Sequence, residues 1–223
     1  MKRLVIVGAG GLGKEVVRYI KDINQIHPTY EVLGFIDSAP EKKGIEYFGV
    51  PVLGDFDILN SLSASNEKLY GFCAVAKPSI KSRLVLQMKE YNIEAISIIH
   101  PTAYISPEVQ IGKGVLIGPF CVLTTNITIG DYVHINPQCG IGHDTTISDF
   151  STLYWNVNVS GNVTIEERVE IGSKAFIKQG LTIRKNSVIG AGAVVIHSIE
   201  SGMTVVGVPA KEIFYKERLT NET

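Results

Sequence analysis

The chain carries almost no net charge: 21 lysines and arginines against 22 aspartates and glutamates give a formal −1. Nothing in that balance points to nucleic acid or to an acidic membrane surface. No apolar run reaches the roughly 18 residues of a membrane span. The opening Met1-Lys2-Arg3-Leu4-Val5-Ile6-Val7 has a basic pair and an apolar run, but it breaks into glycines. It therefore reads as a buried first strand rather than a leader. Cysteine is scarce too. Cys73, Cys121 and Cys139 show no metal-ligand spacing, so the expectation is a reducing, cytoplasmic protein with no metal and no structural disulfide. One tryptophan and five histidines leave few places for aromatic or imidazole chemistry.

What the chain has is a period of six. Reading every sixth residue from Ile99 through Ile117, Ile141 and Ile165 to Val195 meets only Ile, Leu or Val. Neither a helix, near 3.6, nor a strand, near 2, repeats at six. A fixed hexapeptide period is the mark of a parallel β-helix, one hexapeptide per side, with the aliphatic residue pointing inward. Four residues after each aliphatic comes a second small or branched residue, such as Val115, Cys121, Cys139, Val163 or Ala175. Three sides make a coil, so residues 18 apart stack. Residues 98–198 are assigned to this coil. A solenoid needs covers at both ends. The expected covers are the domain before it, residues 1–97, and a tail, residues 199–223, whose part from Glu212 onward reads as a short helix.

The first 97 residues read as a small α/β unit of the Rossmann type. Arg3 to Val7 is a buried strand. Gly8-Ala9-Gly10-Gly11-Leu12-Gly13 follows it and opens a helix through Ile23, which fits G-x-G-x-x-G in its strand–turn–helix setting. A second strand, Glu31 to Asp37, ends in an acid near the place where such folds meet a ribose hydroxyl. Further strands are expected at Leu69 to Val75 and Ala95 to Ile99, with a helix from Ser79 to Tyr91. Ala76 and Lys77 follow the third strand at the carboxyl edge, where ligands collect; Lys77 either meets a phosphate or is a solvated surface lysine. The unit is about half a full dinucleotide domain, and no hydride-transfer substrate domain follows. A mononucleotide or nucleotide-sugar suits it better than NAD.

One corner of the coil stands out. Ile141-Gly142-His143-Asp144 places an imidazole beside an acid, and 18 residues on the same corner is Gly161. The histidine then stands above a position with no side chain, which reads as a shelf for a ligand. A histidine with a neighbouring carboxylate is a minimal general base; the alternative is a surface pair with no task. His134 lies in an exposed-looking segment and reads as structural or solvated, with contact to a neighbouring subunit as the alternative. His27, His100 and His197 read as structural or solvated.

These features together resemble the bacterial sugar acyltransferases that join a small nucleotide-binding α/β domain to a left-handed hexapeptide β-helix. That group includes sialic acid O-acetyltransferases and N-acetyltransferases of nucleotide-linked 4-amino sugars. The resemblance spans nearly the whole chain. Its carriers are Ile6-Val7-Gly8-Ala9-Gly10-Gly11, Gly34-Phe35-Ile36-Asp37, Ile99-His100-Pro101, the ladder, Ile141-Gly142-His143-Asp144, Val159-Ser160-Gly161-Asn162-Val163, Ile189-Gly190-Ala191-Gly192-Ala193-Val194-Val195 and Val206-Gly207-Val208-Pro209-Ala210-Lys211. It implies a Rossmann-like α/β domain followed by an all-β left-handed parallel β-helix. It also implies a homotrimer with three sites between adjacent β-helices and acetyl-CoA along a coil face. On this resemblance His143 is the base and Asp144 raises its basicity. Gly161, Ser173, Ala191 and Lys211 fall where acetyl-CoA is contacted. Gly10, Gly11, Leu12 and Asp37 fall where the nucleotide of the sugar substrate binds, and the glycine motif and strand edge add Gly8, Ala76 and Lys77 to that site. One departure is Thr152, nine residues after the base, where some N-acetyltransferases of the family carry a second histidine near the acetyl carbonyl; Thr152 is kept among the acetyl-CoA contacts, its hydroxyl a weaker donor to that carbonyl. The bulky Tyr154-Trp155 tract beside it either shapes a pocket or meets another subunit.

The implied function is acetyl-CoA-dependent N-acetylation of a nucleotide-linked amino sugar by direct transfer. The alternatives are O-acetylation of a free or activated sugar such as a sialic acid, a non-catalytic β-helix scaffold or nucleotide-sensing module, and, ranked last, a metal site between subunits. No nucleic-acid or membrane partner is expected.

Overall fold

The computed structural model describes residues 1–62 and 68–213. Leu4, Val5, Ile6 and Val7 are all buried, as a strand covered on both faces requires. They form β1 (Lys2–Val7), followed by α1 (Gly11–Ile26) and β2 (Tyr30–Ile36). A hairpin of β3 (Glu46–Tyr47) and β4 (Val50–Gly54), absent from the sequence reading, comes next. A 3-10 turn at Phe56–Ile58, the short α2 (Leu59–Leu62), β5 (Leu69–Cys73), α3 (Pro78–Glu90) and β6 (Glu94–Ala95) complete the unit. The sheet order is β3-β4-β2-β1-β5-β6, parallel throughout except for β3 against β4. The order reverses between β1 and β5, which opens a crevice at their carboxyl ends. The strand expected at Ala95 to Ile99 is two strands: Glu94–Ala95 closes this sheet, and Ile98–Ile99 begins the next domain.

From Ile98 the chain winds as a parallel β-helix with three faces. The first face stacks Ile98–Ile99, Leu116–Ile117, His134–Ile135, Thr152–Leu153, Glu170–Ile171 and Val188–Ile189; the second runs from Tyr104–Ile105 to Val194–Val195; the third from Gln110–Ile111 to Thr182–Ile183. Register is 18 throughout, as in Leu116↔His134↔Thr152↔Glu170. The ladder residues from Ile117 to Val195 lie inside, joined by Cys121, Cys139, Val163 and Ala175. Burying each Ile, Leu or Val of the ladder contributes roughly 1.5–3 kcal/mol. The corners carry their own period of six. Phe120, Asn126, Tyr132, Gln138, Asp144, Phe150, Asn156 and Asn162 all have φ between 55° and 63°. Asparagine and aspartate tolerate this left-handed conformation best among residues with a Cβ.

The ends differ from expectation. The N-terminal domain does not cap the coil; it docks on its first face. Leu116 joins the core of α1 and β1, and Tyr132 and Phe150 join that of α3 and β5. Ile99, at the first turn of the ladder, stays 36% exposed. His134 is fully buried beneath the domain, stacked on Phe72 with ring centroids 5.5 Å apart, rather than exposed. His100 is buried at the junction near Asp22 and Tyr19. At the far end Thr204–Val206 and Lys211–Glu212 extend the first face, and Val205 is buried against the core. Glu212 is therefore a strand residue and Ile213 is not helical; the rest of the expected tail helix, 214–223, lies outside the described residues.

Candidate active site

His143 and Asp144 occupy the corner between the second and third faces, after Gly140–Ile141. The left-handed backbone at Asp144, φ 58°, turns its carboxylate back toward the preceding ring. Asp144 Oδ2 lies 2.7 Å from His143 Nδ1. One coil earlier, Asn126 donates from Nδ2 to Asp144 Oδ1 at 2.6 Å. Asn126 first, and His143 after it, hold the Asp144 carboxyl below the ordinary carboxylate range. With Nδ1–H fixed on the carboxylate, Nε2 carries the free lone pair. The sequence reading missed Asn126, although it stands 18 residues before Asp144.

Gly161 does the opposite of what the shelf implied. A Cβ there would lie 2.5 Å from His143 Nε2, 2.7 Å from Cε1 and 2.9 Å from Cδ2. The space above Gly161 is filled by the imidazole itself, not by a ligand. The missing side chain lets the ring lie flat on the coil. Beside this corner a groove of about 270 Å³ crosses the second face, lined by Val122, Thr124, Gly142, Ser160 and Phe176 among others.

The expected acetyl-CoA residues do not form one line. Ser173 and Ala191, 18 apart, stack at the corner between first and second faces, where Gly192 N–H donates to the Ser173 carbonyl. Gly161, 12 residues before Ser173, is at the other edge of the second face. Lys211 is exposed at the far end of the first face. Thr152 lies away from the base altogether. Nine residues advance one and a half faces, which carries it to the first face beneath the N-terminal domain. It is fully buried; its hydroxyl donates to the Ala76 carbonyl at 2.7 Å and accepts from Lys81 Nζ at 3.0 Å. Tyr154 turns its hydroxyl to Glu170 at 3.3 Å, and Trp155 is exposed at the next corner.

In the N-terminal domain a cleft of about 380 Å³ opens at the β1/β5 crevice. Gly8, Ile36, Asp37, Asp55, Phe56, Ile80, Arg83 and Gln87 contribute to its walls. Gly8 and Asp37 were foreseen. Asp55 and Phe56 come from the unforeseen segment after β4, and Ile80, Arg83 and Gln87 from α3. Ala76 and Lys77 are not part of the lining; the Ala76 carbonyl is taken by Thr152. Gly10 and Gly11 begin α1 without a side-chain cap, and a Cβ on either would meet open space. A helix start of this kind binds anions through its unpaired N–H groups. Gly13 differs: a Cβ there would collide with the Gly8 carbonyl oxygen, so this glycine serves the close strand–helix approach. Asp37 braces the turn. Its Oδ2 accepts from Ala9 N–H at 2.8 Å and from Lys42 Nζ at 2.9 Å, and its Oδ1 from Ala39 N–H at 3.1 Å. Burial pushes this carboxyl up, but Lys42 and the two N–H groups outweigh it and hold the group below its ordinary value. Each carboxylate oxygen takes two donors, so Oδ1 retains one place for a ligand hydroxyl.

Comparison with known proteins agrees with the two-domain fold. The PglD N-terminal domain family matches residues 3–88, and the hexapeptide repeat family of succinyl-transferases matches residues 162–196. GDP-perosamine N-acetyltransferase of Escherichia coli O157:H7 is 34% identical over 215 residues, covering 93% of this chain and 95% of that protein. A histidine-to-asparagine variant of perosamine N-acetyltransferase from Caulobacter crescentus, solved with CoA and GDP-perosamine, superposes with a TM-score of 0.88 at 27% identity, covering 96% of this chain and 98% of that one. The acetyltransferase domain of PglB from Neisseria gonorrhoeae FA1090, solved with acetyl coenzyme A, gives 0.86 at 31% identity, covering 95% and 99%.

Proposed function

This chain belongs to the bacterial sugar acyltransferases of the perosamine and PglD N-acetyltransferase type, and on that premise we propose that it acetylates the amino group of a nucleotide-linked amino sugar. The donor is acetyl-CoA, and the sites are shared between copies of a homotrimer. The observation that carries the reading is the Asn126–Asp144–His143 relay laid over Gly161, which leaves Nε2 as a base at an open corner. As the amine nitrogen attacks the thioester carbonyl, its proton passes to Nε2 and the N–C bond forms. Collapse of the tetrahedral intermediate breaks the C–S bond, and the imidazolium returns the proton to the leaving thiolate, so CoA departs as the thiol. All three cysteines are buried and free, which favours direct transfer over an acyl-enzyme on sulfur. Free thiols also favour a cytoplasmic location. Among the described residues no helix is long and apolar enough to cross a membrane.

Sharing between copies is supported by the topology. The N-terminal domain sits on the first face, and His143 sits at the corner of the second and third, on the opposite side of the coil. A sugar anchored in the cleft of one chain meets the base of a neighbour. His143 and Asp144 side chains are 53% and 50% exposed in the single chain, as residues at a shared site would be. Two experiments test this. GDP- and UDP-linked 4-amino sugars are incubated with acetyl-CoA and analysed by mass; acetylation of hydroxyl-bearing sugars but of no amino sugar rejects the N-acyl reading. Inactive His143→Ala chains are then co-assembled with binding-deficient Gly10→Val chains. Shared sites recover about a quarter of wild-type turnover, because intact bases and intact clefts pair at random in a symmetric oligomer; sites within one chain recover none.

A further inference from the structure

The first face carries three stacked polar residues, His134, Thr152 and Glu170, into an apolar junction. Leu116, His134, Thr152 and Glu170 stack at 18-residue spacing, and the first three are fully buried. Over them lies Lys81, in the second turn of α3, also fully buried. Its Nζ meets the Thr152 hydroxyl at 3.0 Å and the Ser151 carbonyl at 3.4 Å. No carboxylate pairs with it among the described residues. A buried lysine without an anion is unusual, since burying a lone charge costs far more than burying a bonded polar group. An ammonium has three donors, but two acceptors stand here, which suits a neutral amine.

The neighbouring titratable groups fit the same picture. Cys73, at the end of β5, is buried, and burial pushes its thiol up to about 11. His134 is kept neutral by burial first and by Lys81 second, against a weaker upward pull from the Cys73 backbone. Glu170 is engaged by the Tyr154 hydroxyl. Burial lowers Lys81 to about 7, against weaker upward pulls from Cys73 and Glu170.

The position of Lys81 gives it consequence. On one side of α3, Ile80, Arg83, Leu84 and Gln87 line the cleft. On the other, Lys81, Val85 and Met88 are buried. Just before the helix, the Ala76 carbonyl takes the proton of the same Thr152 hydroxyl. One hydroxyl of the β-helix thus holds both the loop and the helix that wall the cleft. We propose that Lys81 is a positioning residue for the nucleotide site: through Thr152 it pins α3, and with it one wall of the cleft, to the β-helix. The inference rests on the reading that the cleft takes the nucleotide of the acceptor.

The test uses Lys81→Met and Thr152→Val in the full chain, with GDP and UDP titrated calorimetrically from pH 6 to 8. A lost hydrogen bond at the pin weakens nucleotide binding about tenfold in each variant. The double variant loses less than the sum of the two, because the residues share one contact. The KM for the nucleotide-sugar rises while kcat and the KM for acetyl-CoA hold. In the wild type, affinity also falls below pH 7, as Lys81 gains a third donor with nothing to accept it; Lys81→Met lacks that component, whereas protonation of the nucleotide phosphate is common to both. Unchanged affinity and an unchanged pH profile in Lys81→Met overturn the proposal. If the wild type binds neither nucleotide, it is the ligand reading that fails, and hydrogen exchange of the α3 amides decides the pin. Faster exchange in both variants supports it, and wild-type rates reject it.

Discussion

Gly161→Ala is the sharpest perturbation this site offers. The added methyl carbon would lie 2.5 to 2.9 Å from three atoms of the His143 ring. Ordinary contact begins near 3.5 Å, so the imidazole must move by about 1 Å or swing off the coil. It can swing, since the side chain is half exposed. The backbone has no objection, because Gly161 is not among the glycines with positive φ. Stability should therefore stay level or rise slightly, as is usual for glycine-to-alanine at a permissive site. Catalysis should not survive the move. Swinging the ring pulls Nδ1 from Asp144 and carries Nε2 off the position where the amine is presented. A misplacement of about 1 Å costs on the order of 10²-fold, or about 2.7 kcal/mol of barrier.

The assay is steady-state CoA release with saturating acetyl-CoA and the amino-sugar acceptor, alongside a melting curve. The expected pair of results is kcat down about 10²-fold with the melting temperature held or raised. A second measurement isolates the cause. In a His143→Ala background, Gly161→Ala should remove nothing more, since its effect passes through the ring. Wild-type turnover in Gly161→Ala would refute the flat-ring geometry. A further loss in the double variant would show that Gly161 serves the donor directly.

Other consequences follow from the same geometry. Asn126→Ala frees Asp144 Oδ1 and should lower kcat about tenfold, by roughly one hydrogen bond's worth of ordering. Asp144→Asn should cost roughly 10² or more, because its amide can donate to Nδ1 and fix the proton on Nε2; a tautomer-sensitive nitrogen NMR shift of His143 checks both variants. Within the glycine turn, Gly10→Val should raise the acceptor KM without unfolding, whereas Gly13→Ala should lower the melting temperature because its Cβ meets the Gly8 carbonyl. Lys81 makes stability rise with pH: between about 7 and the unfolded value near 10.4 the unfolded chain binds the extra proton, so the slope is positive, up to about 1.4 kcal/mol per pH unit. Urea melts of wild type and Lys81→Met across that window should converge as pH rises, and parallel curves would contradict a neutral Lys81.

The β-helix was legible because its code is periodic. Ile117, Ile141 and Ile165 announce the inward line, and the 18-residue stack follows arithmetically from three faces. The same ruler would have led from Asp144 to Asn126, had it been applied to polar corners as well as to the core. Elsewhere the period is silent. Every coil repeats the last, so nothing in the repeat says which face receives the N-terminal domain. That is why a cap was expected where a flank is docked, and why the segment around His134 looked exposed. The cleft was half legible for a related reason. Gly8 and Asp37 belong to a local motif, whereas Phe56 and Arg83 reach the cleft only through the crossover of strands around β1. Lys81 reads in sequence as a solvated helix residue. Only the second domain packed over it makes it a buried one.

Thr152 shows how a departure from a family pattern is settled by counting protons. A threonine hydroxyl has one hydrogen and two lone pairs. The hydrogen goes to the Ala76 carbonyl, and one lone pair receives Lys81. Nothing remains to donate to an acetyl carbonyl, and the residue is fully buried in any case. An imidazole at this position would have to displace Lys81 or lift α3 from the coil, and lifting α3 would open the cleft wall. The threonine is thus matched to the lysine, not to the base nine residues before it. Stabilisation of the oxyanion then falls to N–H donors at the open corner. On this argument Thr152→Val leaves kcat at saturating acceptor untouched and changes only how tightly the nucleotide is held. A fall in kcat with unchanged acceptor KM would instead return Thr152 to the acetyl group and remove it from the pin.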